Sequence, residues 1–301
     1  MALAAAAAAA AGQHYPKGAL YVLATPIGNL ADISLRALHM LQLADVIACE
    51  DTRHTQALLR AYGIDKAASQ WLAVHQHNEA QGAQAVIARL QSGARVVYAS
   101  DAGTPAVSDP GARLVAEVRA AGLPVVPAPG PSSITTALSV AGAVEEGSAF
   151  VFVGFLPAKA GERDTAVQLL AQEARPVVLL EAPHRIEALA RALAPLGERT
   201  VTVCRELTKQ FEEIATTTCA ALSAWLGGNP KRLHGEFVLV LHPTPQVRAA
   251  DAGLRVLKLL LAELPLKSAV KLAAEISGAP RNELYDAALA LKADGRRAPE
   301  E

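Results

Sequence analysis

The chain has 301 residues, enough for two domains, and 51% of them are hydrophobic against 19% charged, the balance of a globular protein with sizeable cores. Its 28 basic and 29 acidic residues leave a net charge of -1, which excludes a polycationic mode of nucleic-acid binding and allows only a focal contact. Cys49, Cys204 and Cys219 form no C-x-x-C pair, so neither a disulfide framework nor a metal site is indicated, and buried thiols are expected.

Residues 1–17 open with a run of alanines that lacks a basic flank and is only weakly apolar, so they are read as a flexible extension of a cytoplasmic protein rather than a leader. No later run is apolar and long enough to predict a membrane span. From 18 to 142, strand-like runs (ALYVLA, DVIAC, LAVHQH, ARVVYAS, LPVVPA) alternate with helix-like ones (ISLRALHMLQLA, TQALLRAYG, EAQGAQAVIARLQS, ARLVAEVRAAG, ITTALSVAG). Such alternation predicts a mostly parallel sheet covered by helices on both faces. Gly63, Gly93, Gly122 and Gly142 stand where those helices should end.

AVEEGSA, residues 143–149, breaks the pattern and is the expected hinge. A second α/β domain, 150–245, follows with strands in FVFVGFLP, PVVLLEAP, RTVTVCREL, FEEIATTT and GEFVLVL and helices near 161–173, 184–195 and 219–227. The close spacing within VTVCRELTKQFEEIATTT makes part of this sheet antiparallel. Residues 246–301 predict a tail of three short helices, two joined at Ser277-Gly278-Ala279-Pro280 as in a helix-turn-helix, with acidic and basic residues in balance.

Three strands end in Gly/Pro-rich polar loops: Thr25-Pro26-Ile27-Gly28-Asn29, Ser100-Asp101-Ala102-Gly103-Thr104-Pro105 and Pro129-Gly130-Pro131-Ser132-Ser133. Small, hydroxylated and acidic residues at the carboxyl ends of strands build a ligand crevice in α/β sheets. The loops hold no Lys or Arg and no P-loop, and the first turn carries one glycine instead of G-x-G, which argues against a nucleoside triphosphate or a standard dinucleotide site.

These loops, as TPIGNLADIS, SDAGTPAVSDPG and PAPGPSSITTALSVAG, together with CEDTRHT at 49–55, resemble the tetrapyrrole methylase superfamily. GFLPAKAGER, EAPHRI, RELTK and the tail ELPLKSAVKLAAEISGAPRNELYDAAL resemble its small-subunit ribosomal RNA methyltransferase branch, from Gly18 to about Leu291. The resemblance implies a two-domain tetrapyrrole-methylase-like α/β fold and a homodimer. It also implies S-adenosylmethionine in the interdomain cleft and a cytidine ribose of 16S rRNA, free or in the 30S subunit, as acceptor. The chain departs from the branch at Leu180 and Ala182, where an aromatic and a serine are usual, and at His234, where a lysine is usual.

On that reading Pro26, Gly28, Asp101, Ala102, Gly103, Thr104, Pro129, Gly130, Ser132, Ser133 and Phe155 are the candidate cofactor residues. Asp101 offers hydrogen-bond acceptance and charge near the sulfonium, with an Asx turn as its alternative. For Ser132, Ser133 and Asp109, helix capping is the favoured alternative to a ligand contact. A ribose hydroxyl needs a base within reach; the candidates are Glu50, Asp51, Glu206, Lys209 as a neutral amine and, preferred, His184 and Glu181. Arg53, His54, Lys159, Arg163, Arg185 and Arg205 are the candidate RNA contacts, each individually matched by the alternative of a solvated or internally paired charge. A small-molecule corrin methyltransferase and a non-catalytic ribosome-assembly factor are the competing functions.

Overall fold

A computed structural model of the chain describes residues 2–75, 78–107, 111–143, 149–244 and 249–295. Asp109 with Pro110, and 144–148 of the expected hinge, lie outside the described residues. The chain divides into two compact units, Met1–Ala171 with Pro176–His242, and Gln172–Arg175 with Pro243–Glu301.

In the larger unit, β1 (Leu20–Leu23), β2 (Val46–Cys49), β3 (Trp71–Ala73), β4 (Val96–Ala99) and β5 (Val125–Ala128) form a wholly parallel sheet in the order β3-β2-β4-β1-β5. The runs VIAC and VVYA are buried at every position, as strands covered on both faces must be. Alternation divides them: Val97 and Ala99 join a core with Leu38, Leu41 and Leu59, whereas Val96 and Tyr98 join Val86, Leu90 and Leu114. One face is therefore covered by α2 (Leu35–Leu43) and α3 (Thr52–Ala61), the other by α4 (Glu79–Gln91) and α5 (Ala112–Ala120).

The alanine run is not a flexible extension. Ala2–Ala10 forms α1, with Ala6 and Ala10 buried and Leu3 packed on the α2 side of the core. Alanine has the highest helix propensity, and its small side chain lets the helix lie close on its neighbour. Tyr15 donates its hydroxyl to the Ala10 carbonyl at 3.0 Å, closing the helix end.

β6 (Val151–Phe155), β7 (Val177–Glu181), β8 (Thr200–Arg205), β9 (Glu213–Thr218) and β10 (Phe237–Leu241) form a second sheet, ordered β6-β7-β10-β8-β9. Only β6 and β7 are parallel; β10 runs antiparallel to β7 and β8, and β8–β9 is the expected antiparallel pair. One face packs on α7 (Ala160–Gln172), α8 (Ile186–Leu193) and α9 (Leu222–Gly227). The other takes α6 (Ser133–Ala141), whose Ala137 and Ala141 are buried against Val178, Cys204, Val238 and Val240. The helix expected to cover the first sheet thus covers the second, because small alanines permit close approach there.

A buried polar junction ties α6 to this sheet. Thr202 Oγ1 donates to the Ala141 carbonyl at 3.3 Å and lies 2.8 Å from both Thr216 Oγ1 and His242 Nε2. Thr202 has one proton to give among these three neighbours, so at least one of Thr216 and His242 donates to it. Burial, aided by Arg199, holds the His242 pKa below the ordinary histidine value.

The smaller unit contains α10 (Ala249–Glu263), α11 (Leu266–Ser277) and α12 (Arg281–Gly295) around Leu257, Ala269, Val270, Ala273, Leu284 and Ala288. Gly278 (φ 71°) ends α11 in the left-handed region and donates to the Ala274 carbonyl at 2.9 Å, so the expected turn is present.

Candidate active site

Parallel pairing brings the carboxyl ends of β4, β1 and β5 side by side, and hydrogen bonds join the loops that follow. Thr25 N donates to the Gly103 carbonyl at 2.9 Å, and Gly103 N to that of Thr25 at 3.0 Å. Thr25 Oγ1 donates to Ser100 O (3.0 Å), Ser100 Oγ to Gly103 O (3.1 Å), and Thr104 Oγ1 to Pro131 O (3.2 Å). A Cβ at Gly130 would stand 3.1 Å from Ala24 Cβ and 3.4 Å from the Ala24 carbonyl oxygen, so this glycine lets the ends of β5 and β1 come close.

Asp101 Oδ1 accepts from Asp51 N at 3.4 Å, linking the β4 loop to the β2 loop instead of bracing its own turn. Asp51 caps α3, its Oδ1 accepting from Arg53 N (2.8 Å) and His54 N (3.4 Å). Those two bonds hold its carboxyl below the usual carboxylate range. Ser132 occupies the N-cap of α6 but makes no side-chain cap bond, so capping does not occupy its hydroxyl.

The loop edge faces the second sheet across two cavities. One, about 290 Å³, is lined by Ala102 and Ser133 on one side and by Phe155, Leu180, Glu181 and Phe237 on the other. A recess of about 100 Å³, bounded by Gly103, Thr104, Ser132 and Ser133, shares Ala102, Ser133 and Leu180 with it. The other cavity, about 430 Å³, is lined by Pro26, Gly28, His54, Leu58, Asp101 and Lys209. The two cavities share Ile27, Ala102 and Glu236. The structure thus divides the predicted cofactor residues between neighbouring cavities, and Pro129 and Gly130 line neither.

Gly28 brings the two sheets' loops into contact. A Cβ there would lie 2.4 Å from Lys209 Cγ and 3.2 Å from the Leu207 carbonyl. Lys209 Nζ donates to Glu206 Oε1 (2.8 Å) and Glu236 Oε2 (3.0 Å). Burial draws the Lys209 pKa down, but bonds and charges from both carboxylates outweigh it and raise the value, so the neutral-amine base is corrected: Lys209 is an ammonium. Burial pushes Glu206 the opposite way, yet bonds from Lys209 and Glu236 N leave it below the ordinary value. Glu206 (φ 52°) and Thr208 (φ 66°) adopt left-handed backbone, as does Ala106 (φ 67°) in the β4 loop. Strain of about 1–3 kcal/mol at each such residue collects at functional loops.

Glu181 ends β7 with its side chain 1% exposed, 3.0 Å from Arg185 Nε. Burial raises its pKa, opposed by the Ala182 N–H and the Arg185, Arg163 and His184 charges. Arg185 also donates to the Leu156 carbonyl, so its internal pairing prevails over the expected RNA contact. Arg205, 8% exposed, pairs with Glu213 and donates to the His234 and Phe211 carbonyls. A guanidinium so enclosed offers no phosphate contact, which corrects the second RNA candidate. Arg53, His54 and Lys159 are exposed, Arg163 half-buried; His184 is exposed and lines neither cavity. Ile27, Leu180, Leu207, Glu236 and Phe237 were not among the expected site residues, although Ile27 lies within the first loop, Leu207 within RELTK and Leu180 directly before EAPHRI.

A parallel α/β sheet whose loop edge closes on a mixed sheet around such a cleft is the architecture of a tetrapyrrole methylase. The family model for Tetrapyrrole (Corrin/Porphyrin) Methylases matches residues 19–223, and one for the RsmI C-terminal HTH domain matches 247–292. The fold also resembles solved methylases. A cobalt precorrin-4 methyltransferase matches with TM-score 0.55 and 19% identity over 76% of this chain and 98% of that one. Uroporphyrin-III-C-methyltransferase from Thermus thermophilus matches with TM-score 0.52 and 21% identity over 75% and 94%.

The chain belongs to the tetrapyrrole methylase family. Within it, the chain is 47% identical over 279 residues to the Ribosomal RNA small subunit methyltransferase I of Neisseria meningitidis serogroup B, covering 91% of this chain and 94% of that protein. To the protein of that name from Escherichia coli O157:H7 it is 46% identical over 277 residues, covering 91% and 95%.

Proposed function

We propose that this chain is an S-adenosylmethionine-dependent methyltransferase that methylates the 2′-oxygen of a cytidine ribose in 16S rRNA of the small ribosomal subunit. The observation that carries this reading is a pair of adjoining cavities, one fit for the donor and one for an acceptor, in a chain whose relatives are named for small-subunit rRNA. The matched C-terminal unit supports RNA rather than a corrin as substrate.

The cofactor fits the smaller cavity chemically. Phe155, Leu180 and Phe237 give an apolar wall for adenine, backbone groups at Ala102–Thr104 and the hydroxyls of Ser132 and Ser133 supply hydrogen bonds, and Glu181 supplies negative charge. When bound, S-adenosylmethionine supplies an activated methyl group on a sulfonium. Pro26, Gly28 and Asp101 face the acceptor side, where His54 and Lys209 add positive charge. Arg53, beside His54 at the start of α3, extends that charge outward, and Lys159 and Arg163, on the loop and helix that follow β6, are the further RNA contacts of this reading. Much of the acceleration then comes from holding the ribose oxygen in line with the methyl group.

The exposed apolar residues Phe150 and Val153 at edge strand β6 support a homodimer, measurable by light scattering. Among the described residues no helix is long and apolar enough to cross a membrane; a ribosomal substrate supports a cytoplasmic enzyme. The deciding experiment incubates the protein and labelled S-adenosylmethionine with naked 16S rRNA or with 30S subunits, followed by nucleoside analysis. Label recovered as 2′-O-methylcytidine is expected. Unlabelled RNA in both arms defeats the reading, and absence of calorimetric cofactor binding points to an assembly factor.

A further inference from the structure

We propose that Glu236 is the catalytic base, accepting the 2′-hydroxyl proton of the target ribose; the proposal rests on the ribose-methylation reading above. A transferred methyl group must pass where the donor and acceptor cavities meet. Three residues line both cavities, Ile27, Ala102 and Glu236, and only Glu236 carries an ionisable side chain.

Its backbone is fixed by its neighbours. Glu236 N donates to Glu206 Oε1 (2.9 Å), and the Glu236 carbonyl accepts from Glu206 N (2.9 Å). Gly235 (φ 94°) lies so close to Glu206 that a Cβ would stand 2.4 Å from Glu206 Cγ. Lys209 holds Oε2, while the side chain stays 77% exposed. A carboxylate in the wall of an RNA-binding cavity repels phosphates, so its suitable partner is a hydrogen-bond donor such as the ribose hydroxyl.

The competing carboxylates are less suitable. Glu181 lines only the cofactor cavity and is committed to Arg185 and the Ala182 N–H. Glu206 Oε1 already accepts from Lys209 and Glu236 N, and Asp101 lines only the acceptor cavity. In the step, the 2′-oxygen bonds to the methyl carbon as the carbon–sulfur bond breaks. The electron pair remains on sulfur and the proton passes to Glu236. Because the oxygen's proton becomes strongly acidic as the methyl arrives, a carboxylate is basic enough to take it.

Glu236→Gln should lower kcat on the order of a hundredfold or more while leaving S-adenosylhomocysteine affinity, measured by calorimetry, within about twofold. Glu236→Asp should recover part of the loss. A second readout needs no turnover: with S-adenosylhomocysteine present, the wild type should bind an RNA fragment bearing ribose at the methylated nucleotide about tenfold more tightly than one bearing deoxyribose there, and Glu236→Ala should erase that preference. Turnover of the Gln variant within about threefold of wild type, or a preference retained in the Ala variant, overturns the proposal. Loss of S-adenosylhomocysteine affinity together with turnover also overturns it, assigning Glu236 to the cofactor. If the wild type itself labels no ribose, the functional reading fails instead.

Discussion

Gly28 and Glu236 act from opposite sides of one joint. Any side chain at Gly28 meets Lys209 Cγ at 2.4 Å and must displace the lysine that bonds Glu236. Gly28→Ala should cost about 1–3 kcal/mol by overpacking. A thermal melt with kcat/KM should show a lowered midpoint and slower turnover; an unchanged enzyme would place the joint elsewhere. The cavity assignments separate just as cleanly: Leu180→Trp should abolish cofactor binding in calorimetry, whereas Leu58→Trp should spare it and raise KM for RNA. Equal loss in both variants would merge the two cavities into one function. The placement of Asp101–Thr104 and Ser132–Ser133 in strand-end loops was legible in the sequence because local turn chemistry marks them. Glu236 and Arg205 were not. The first becomes a site residue only when β10 lies against the loop of another sheet, and the second is buried only when the segment before β9 folds over it.

At the scale of elements, nine of the ten strands fall within the expected apolar runs, because such stretches have few alternatives to a covered strand, whereas β3 starts one residue early at Trp71 and overlaps its run only at Leu72–Ala73. Partner choice was less legible: α6 carries the same apolar signature whether it packs on the first or the second sheet, and only the cores distinguish them. Propensity alone makes the alanine run helical, but burial of Ala6 depends on the neighbouring α2 surface. In the tail, Gly253 of α10 lies where a Cβ would meet Ala279 Cβ and Leu284 Cδ2 at 2.8 Å. Gly253→Ala should therefore loosen α10 against the α11–α12 turn by about 1–3 kcal/mol despite its better helix propensity. Hydrogen exchange on the full chain should show faster amides in all three helices. Unchanged protection would mean that the turn gives way freely.

For the whole molecule, the Thr202 junction makes stability depend on pH. His242 has a folded pKa below its unfolded value near 6.5, so the unfolded chain binds its proton more readily. Stability from this group is complete above that pH and is lost as pH falls toward the folded pKa. His242→Gln should flatten that interval in denaturant melts, and an equal slope in both proteins would remove His242 as the cause. The first sheet has a consequence for synthesis. Leu20 pairs with Val96 and with Val125, so β1 emerges long before either of its two partner strands exists. At typical elongation rates the wait for Val96 is on the order of ten seconds. Until then ALYVLA has no sheet to enter, and the Thr25–Gly103 bridge cannot close. A nascent chain stalled before residue 96 should therefore hold a chaperone, and release it once β4 has cleared the exit tunnel.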